Sequence, residues 1–180
     1  NDAFSSAMHI ASALKITKKL LPAIHNLRSG LNEKAKIYEK IVKLGRTHLQ
    51  DAVPITVGQE ISGWVAQIDF GYRKIHESLK DLYELAIGGT AVGTGLNSPM
   101  GFAEKMTEQI GDETELPFKS AQNRFAQLAA HDAVVEASSA LRLFACSMMK
   151  IANDIRWSSS GPRCGLGELL IPSNEPGSSM

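Results

Sequence analysis

The chain has 180 residues, 43% of them hydrophobic, and equal numbers of basic and acidic side chains, 19 of each. This length and apolar content predict one folded domain with a substantial core, and the zero net charge argues against nucleic-acid or anionic-membrane binding. Two cysteines make neither a disulfide framework nor a metal-binding cluster, and no apolar run is long enough to cross a membrane. We therefore expect a soluble protein of a reducing compartment.

Helical periodicity dominates the first forty residues. Asn1 or Asp2 is placed to cap a first helix through a side-chain oxygen. Pro22 suits the first turn of a second helix, because that turn needs no intrahelical donor. Steps of three and four residues then mark one face of that helix. Its apolar positions are Ile24, Leu27, Leu31, Ala35, Tyr38 and Ile41.

Two longer helices are predicted further along the chain. The first follows Pro54 and keeps its rhythm from Val57 to Ala86, which corresponds to ~45 Å of helix. The second runs from about Asn123 to Trp157 and carries a near-heptad stripe flanked by small residues, which indicates close neighbours on several sides. The stripe consists of Ala130, Val134, Ala137, Leu141, Phe144, Met148, Ile151 and Ile155. With no strand pattern recognisable, the chain is predicted to be all-α, a long-helix bundle that oligomerises through its long helices.

The segments 45–54, 88–101 and 158–180 are predicted to be loops. In the first, Gly45 and Pro54 limit the flanking helices, and Thr47 and His48 offer a donor and a group that exchanges protons near neutral pH. The simpler alternative is that these two side chains only cap helix ends. The remaining histidines, His9, His25, His76 and His131, lie in helical runs and are expected to be packed or on the surface.

The other two loops are rich in glycine. The 88–101 loop lacks the context of a nucleotide-binding motif, so its glycines are expected to serve tight turns, with Thr90, Thr94 and Asn97 bonding the turn or a ligand. In the last loop, Ser178 and Ser179 follow Gly177 and are able to present amides and hydroxyls to an anion, or to form a flexible tail. Of the cysteines, Cys146 is expected in the core and Cys164 has no evident role.

Three segments together resemble the class II fumarases of the aspartase/fumarase superfamily. They are GRTHLQDAVPITVGQE at 45–60, GGTAVGTGLN at 88–97 and KIANDIRWSSSGPRCGLGELLIPSNEPGSS at 150–179. The resemblance implies that residues 1–180 are most of the central helical domain, a fragment without the N-terminal domain and the C-terminal part. His48 favours fumarases, since aspartases usually carry Gln at that position.

The resemblance also implies an activity, the reversible hydration of fumarate to L-malate in the tricarboxylic acid cycle. By this resemblance Ser178 is the base that takes the carbon-bound proton, and His48 is the general acid/base for the hydroxyl group or water. The substrate carboxylates would be held by Asn1, Thr47 and Ser179. No metal or organic cofactor is implied, and each site would combine residues from three subunits of a homotetramer.

Two alternatives stay open at this point. One is a non-catalytic helical assembly module, and the other is a different lyase of the superfamily, such as aspartase. An isolated copy is expected to be inactive in any case, since its site would be incomplete. The expected location is cytoplasmic, or the mitochondrial matrix in a eukaryote.

Overall fold

A computed structural model describes residues 1–173 of the chain. In chain order the elements are α1 (Asp2–Lys15), a π-helical turn (Ile16–Leu20), α2 (Leu21–Ile37), β1 (Val42–Thr47), β2 (Gln50–Thr56), α3 (Val57–Leu82), β3 (Glu84–Leu85), α4 (Phe102–Thr114), β4 (Lys119–Ser120), α5 (Arg124–Ala129) and α6 (Asp132–Ser158). The predicted all-α class is confirmed, because helices make up most of the structure and the strands are few and short. The chain divides into two compact units, residues 1–144 and 145–180.

Helix α3 is the central element of the first unit. It begins with a capping box in which the hydroxyl of Thr56 accepts the N–H of Gln59, and the side chain of Gln59 accepts the N–H of Thr56. Its 26 residues correspond to ~39 Å of helix. The predicted apolar stripe is the buried face, including Ile61, Ile68 and Ile75. The helix ends at Leu82 rather than at Ala86, and Leu85 enters the short β3 instead.

Helices α1 and α2 form a single helical run that packs on α3. The π-helical turn joins them without a loop, and Pro22 lies at the start of α2 as predicted. Helix α2 runs antiparallel to α3, since Gly58 at the start of α3 lies against Ala35 while Arg28 pairs with Asp69 further on. The stripe predicted for α2 was too long. The helix ends at Ile37 and Ile41 is 51% exposed.

Two sequence predictions about the remaining elements were wrong, and one helix was missed. Segment 45–54 is a β-hairpin rather than a loop, so Gly45 and Pro54 lie in strands and end no helix. Helix α4 was not anticipated at all. The helix predicted over 123–157 is divided in two, because Asn123 caps α5 through the N–H of Ala126 and Ala130 is extended before α6 begins.

The second unit contains the last turns of α6 and an irregular segment that is described as far as residue 173. The carbonyl of Ser158 ends the helix by accepting the N–H groups of Glu168 and Leu169 at 2.8 and 3.0 Å. Cys164 is exposed. Cys146 is also exposed, contrary to the prediction of a core position, because it lies on the side of α6 away from the buried Ile151.

Candidate active site

Thr47 and His48 lie together at the tip of the β1–β2 hairpin. The strands pair antiparallel, and Thr47 pairs with Gln50, which leaves His48 and Leu49 as a two-residue turn. Both turn residues have positive φ, 51° for His48 and 63° for Leu49. This is the arrangement of a type I′ turn, in which both central residues adopt left-handed conformations.

Of the two turn residues, Leu49 does not favour this conformation, whereas His is among the residues that adopt it more often than most. Asn and Gly are the usual residues of such a turn, and a non-glycine residue in the left-handed region costs about 1–2 kcal/mol. His48 and Leu49 each adopt this conformation while remaining exposed to solvent. Strained backbone that the surroundings enforce is concentrated at functional sites. Leu49 shares this conformation, so it marks the tip of the hairpin as a whole rather than His48 alone.

A close backbone approach shapes the hairpin below its tip. The register shifts between Leu44 and Arg46, where Gly45 lies so near the opposite strand that a Cβ there would be 2.6 Å from the carbonyl oxygen of Val53. A glycine is required at this bulge, since any side chain would force the strands apart. The imidazole of His48 has no hydrogen-bond partner within the described part of the chain, so both of its nitrogens remain accessible.

Asn1 lies at a second place, against the 88–101 loop. It occupies the N-cap position of α1, but its side chain makes no capping hydrogen bond, contrary to the prediction. Its Nδ2 donates instead to the carbonyl oxygen of Ala91 at 3.1 Å. This bond engages one of the two amide hydrogens and leaves the other hydrogen and Oδ1 available. The side chain is thus oriented by the loop rather than by the helix.

The neighbouring Asp2 binds the same loop through its carboxylate. The N–H groups of Gly88 and Thr90 donate to one oxygen, Oδ2, at 2.9 and 3.0 Å. The sequence pattern suggested only a capping role for Asp2, so this contact was missed. No local sequence pattern predicts this contact, because the partners of Asp2 are 86 and 88 residues away along the chain.

An open cavity of about 740 Å³ lies where α1 begins beside the loop. It is lined by Asn1, Asp2, Ala3, Ile87, Thr90, Ala91, Asn97, Ser98, Pro99 and Phe102. Asp2 carries the only charged side chain of this lining, and the other polar groups are amides and hydroxyls. These groups suit a small polar ligand, but an anionic ligand would need cations from outside this lining.

The loop adopts the unusual conformations that its glycines predicted. Gly88 has φ of 85° and packs so closely on α4 that a Cβ would be 2.5 Å from that of Ala103. Thr90 and Asn97 also have positive φ, 57° and 67°, although neither is glycine. The hydroxyl of Thr94 accepts the N–H of Leu96 and stabilises the turn, while Thr90 and Asn97 line the cavity.

The structure does not bring all of the predicted site residues together. The hairpin tip precedes the first residue of α3 and the 88–101 loop follows its last, so His48 and Asn1 lie at opposite ends of a helix of ~39 Å. Residues 51–54 of the second strand are exposed, as expected for a hairpin that projects away from the helix. Ser178 and Ser179 lie outside the described residues.

The other histidines are packed or exposed, as expected. His9 is 2% exposed, and its Nδ1 lies 3.2 Å from the carbonyl oxygen of Leu82. Burial lowers the pKa of His9 below its ordinary value of 6.5, against the opposing effect of the carbonyls of Leu82 and Glu84. Among residues 1–173, no group of three or more His, Cys, Asp or Glu side chains is arranged to hold a metal ion. No helix in this part of the chain has the length and apolar character that crossing a membrane requires.

Known proteins resemble this chain over its whole length, and residues 1–180 match the lyase family. The chain is 57% identical to the class II fumarate hydratase of Neisseria meningitidis serogroup A and 57% identical to the mitochondrial fumarate hydratase of Rhizopus oryzae. All of the chain is covered in both comparisons, but it spans only 39% and 36% of those two proteins.

Solved structures with a similar fold come from the same kinds of protein as these relatives. The class II fumarase of Schistosoma mansoni superposes with a TM-score of 0.96 at 41% identity, over 100% of this chain and 41% of that one. A fumarate lyase:delta crystallin from Brucella melitensis superposes with a TM-score of 0.90 at 35% identity, over 99% of this chain and 39% of that one. The resemblance to class II fumarases drawn from the three sequence segments is confirmed, and the chain belongs to the lyase family.

Proposed function

We propose that the chain is the central part of a fumarate hydratase, a carbon-oxygen lyase that interconverts fumarate and L-malate. The observation that carries this proposal is the match of all 180 residues, at 55–57% identity, to bacterial and mitochondrial proteins named fumarate hydratase. The relatives named mitochondrial support a mitochondrial location in a eukaryote, for which we propose the matrix, and for a bacterial protein we propose the cytoplasm. Residues 1–180 would then form the central helical-bundle domain, and the rest of the enzyme would come from sequence outside this chain.

The reaction explains why hydroxyls, amides and an imidazole are needed. Dehydration of malate breaks a C–H bond next to a carboxylate, and the developing negative charge on that carboxylate requires hydrogen-bond donors. In the proposed mechanism Ser178 takes the carbon-bound proton and His48 donates a proton to the departing hydroxyl, which leaves as water. Hydration runs the same transfers in reverse.

The substrate carboxylates are assigned to Asn1, Thr47 and Ser179. Asn1 supports this assignment through its free amide hydrogen beside a polar cavity, and Thr47 through its exposed position next to His48. Hydrogen-bond donors of this kind are able to stabilise the intermediate, so the mechanism invokes neither a metal nor an organic cofactor.

We propose further that the active site forms between copies of the chain in a homotetramer. The distance between His48 and Asn1 supports this, because a small dicarboxylate cannot reach both ends of α3. Exposed apolar side chains on α6 are available for such an assembly, and within the first unit Val135 is 61% exposed. One copy would then supply the hairpin tip and another the Asn1 cavity, and a single copy would be inactive.

A chimeric enzyme tests the proposal. The 180 residues replace the matching segment of the Neisseria relative, which supplies the remaining sequence. Fumarate formation is followed in the ultraviolet, with L-malate and L-aspartate tested as separate substrates. We expect turnover of malate but not of aspartate, and a strong loss of turnover in His48→Asn. His76→Asn, which changes an exposed helical histidine, is the matched control and should behave as the parent. Full activity of His48→Asn would contradict the assigned role.

A further inference from the structure

We propose that Asp2 is a positioning residue, whose carboxylate holds the 88–101 loop in the conformation that shapes the cavity beside Asn1. This inference rests on the proposed function, because it assigns the loop a part in holding the substrate carboxylate. Asp2 itself is not assigned any contact with substrate. Its proposed effect passes through the backbone of Gly88 and Thr90.

The geometry of the contact is that of a specific anchor. Two N–H groups separated by one residue converge on the same oxygen, at 2.9 and 3.0 Å. Hydrogen bonds to an ionised acceptor are shorter and stronger than those between neutral groups. The contact also joins the first turn of α1 to a loop without helices or strands of its own. A single side chain therefore fixes two backbone positions of a segment that has little regular structure.

The loop needs such an anchor because of the conformations that it adopts. Thr90 is β-branched and has φ of 57°, a combination that is unfavourable without support from neighbouring groups. The carboxylate binds the N–H of Thr90 itself and that of Gly88, whose close approach to Ala103 sets the path of the chain. Arg124 supports the same turn from another direction, since its Nη1 donates to the carbonyl of Gly88 at 3.3 Å. Without the carboxylate, two part-buried amides would lose their acceptor and Thr90 would be free to relax.

Asn1 is coupled to this anchor in two ways. It is the residue next to Asp2, and its side chain binds the carbonyl of Ala91, the residue after Thr90. The two side chains thus hold the same four residues, 88–91, from adjacent positions. Displacement of this stretch would rotate the amide of Asn1 and move Thr90 in the wall of the cavity. The positive ends of the two N–H dipoles also offset part of the negative charge of Asp2, which reduces its repulsion of an anionic substrate in the cavity.

Three variants test the anchor in the 180-residue chain by hydrogen-exchange mass spectrometry. In Asp2→Ala we expect the amides of Gly88 and Thr90 to exchange at least tenfold faster, because their acceptor is removed. Asp2→Asn keeps a carbonyl oxygen in place and should restore most of the protection. Asp112→Ala removes an exposed carboxylate of α4 and should leave the loop unchanged. Unchanged exchange in Asp2→Ala would overturn the proposal.

The functional half is measured in the chimeric enzyme with L-malate. We expect Asp2→Ala to raise KM at least tenfold with a smaller change in kcat. The reason is that the contacts with the substrate carboxylate, which the loop supports, act in both the ground state and the transition state. Asp2→Asn should recover most of the loss, and Asp112→Ala should match the parent. A purely structural role would reduce the amount of folded enzyme and leave KM unchanged, which would overturn the positioning role. If the unsubstituted chimera lacks turnover while its Neisseria parent is active, the proposed function fails and the positioning role fails with it; normal KM in Asp2→Ala of an active chimera refutes the positioning role alone.

Discussion

Two glycines of α3 offer a matched test of how α2 and α3 pack. A Cβ on Gly58 would lie 2.5 Å from the carbonyl oxygen of Ala35 and 2.7 Å from the Cα of Glu39, both backbone atoms. A Cβ on Gly63 would meet nothing within 4 Å. Alanine should therefore be accommodated freely at one position and should force the two helices apart at the other.

The magnitudes follow from these distances. Gly63→Ala removes backbone freedom from the unfolded chain and adds a good helix former, which should stabilise the fold by about 1 kcal/mol. Gly58→Ala gains less in the first helical turn and overpacks a backbone contact, which costs about 1–3 kcal/mol. In a chain of this length 1 kcal/mol corresponds to roughly 2–4 °C in Tm.

Thermal unfolding of the two variants beside the parent chain measures the difference. We expect Gly63→Ala to raise Tm and Gly58→Ala to lower it. The same contact fixes the base of the hairpin, because the N–H of Gly58 donates to the carbonyl of Tyr38 at 3.1 Å. An increase in Tm for both variants would refute the close packing described for α2 and α3.

Two further predictions concern pH and assembly. Because burial lowers the pKa of His9, this residue binds more protons in the unfolded chain than in the folded chain below about 6.5, so its contribution to the free energy of unfolding should be constant above that pH and fall below it. Urea titrations at several pH values measure this, and His9→Gln should remove part of the fall; an identical pH dependence in that variant would contradict the assignment. Leu141→Asp places a carboxylate in the half-buried stripe of α6 and should disrupt the oligomer, whereas Leu141→Met should preserve it. Light scattering of the chimeric enzyme gives the mass, and a Leu141→Asp variant of unchanged mass would show that this face is not in the interface.

Helix α3 illustrates what periodicity alone was able to predict. Its buried face follows the predicted stripe from Val57 to Leu82, because one side of the helix packs against α1 and α2 while the other faces solvent. The prediction failed only at the end, where Ala86 stays buried although it lies beyond the helix. An apolar residue keeps its burial there although the backbone changes conformation, so hydrophobicity gives no sign of where the helix ends.

The β-hairpin shows why other elements escaped prediction. Most of its residues are exposed, so no alternation between buried and polar side chains marks the strands. Its turn lacks the Asn-Gly signal, and Gly45 and Pro54 are residues that usually end regular structure.

The role of Asp2 was missed for a different reason, since it depends on a contact with residues that lie far away in sequence. Local pattern identified Thr47 and His48 as candidates, but only the fold shows that they lie apart from Asn1.

Complementation between inactive chimeras tests most directly whether the site is shared between copies. His48→Asn and Asn1→Ala variants are each purified, shown to be inactive with L-malate, and then dissociated and reassembled as an equal mixture. If His48 and Asn1 of one site come from different copies, random mixing should restore both residues in roughly a quarter of the sites. Recovered turnover near that fraction is the predicted result. A mixture as inactive as its two components would contradict the account.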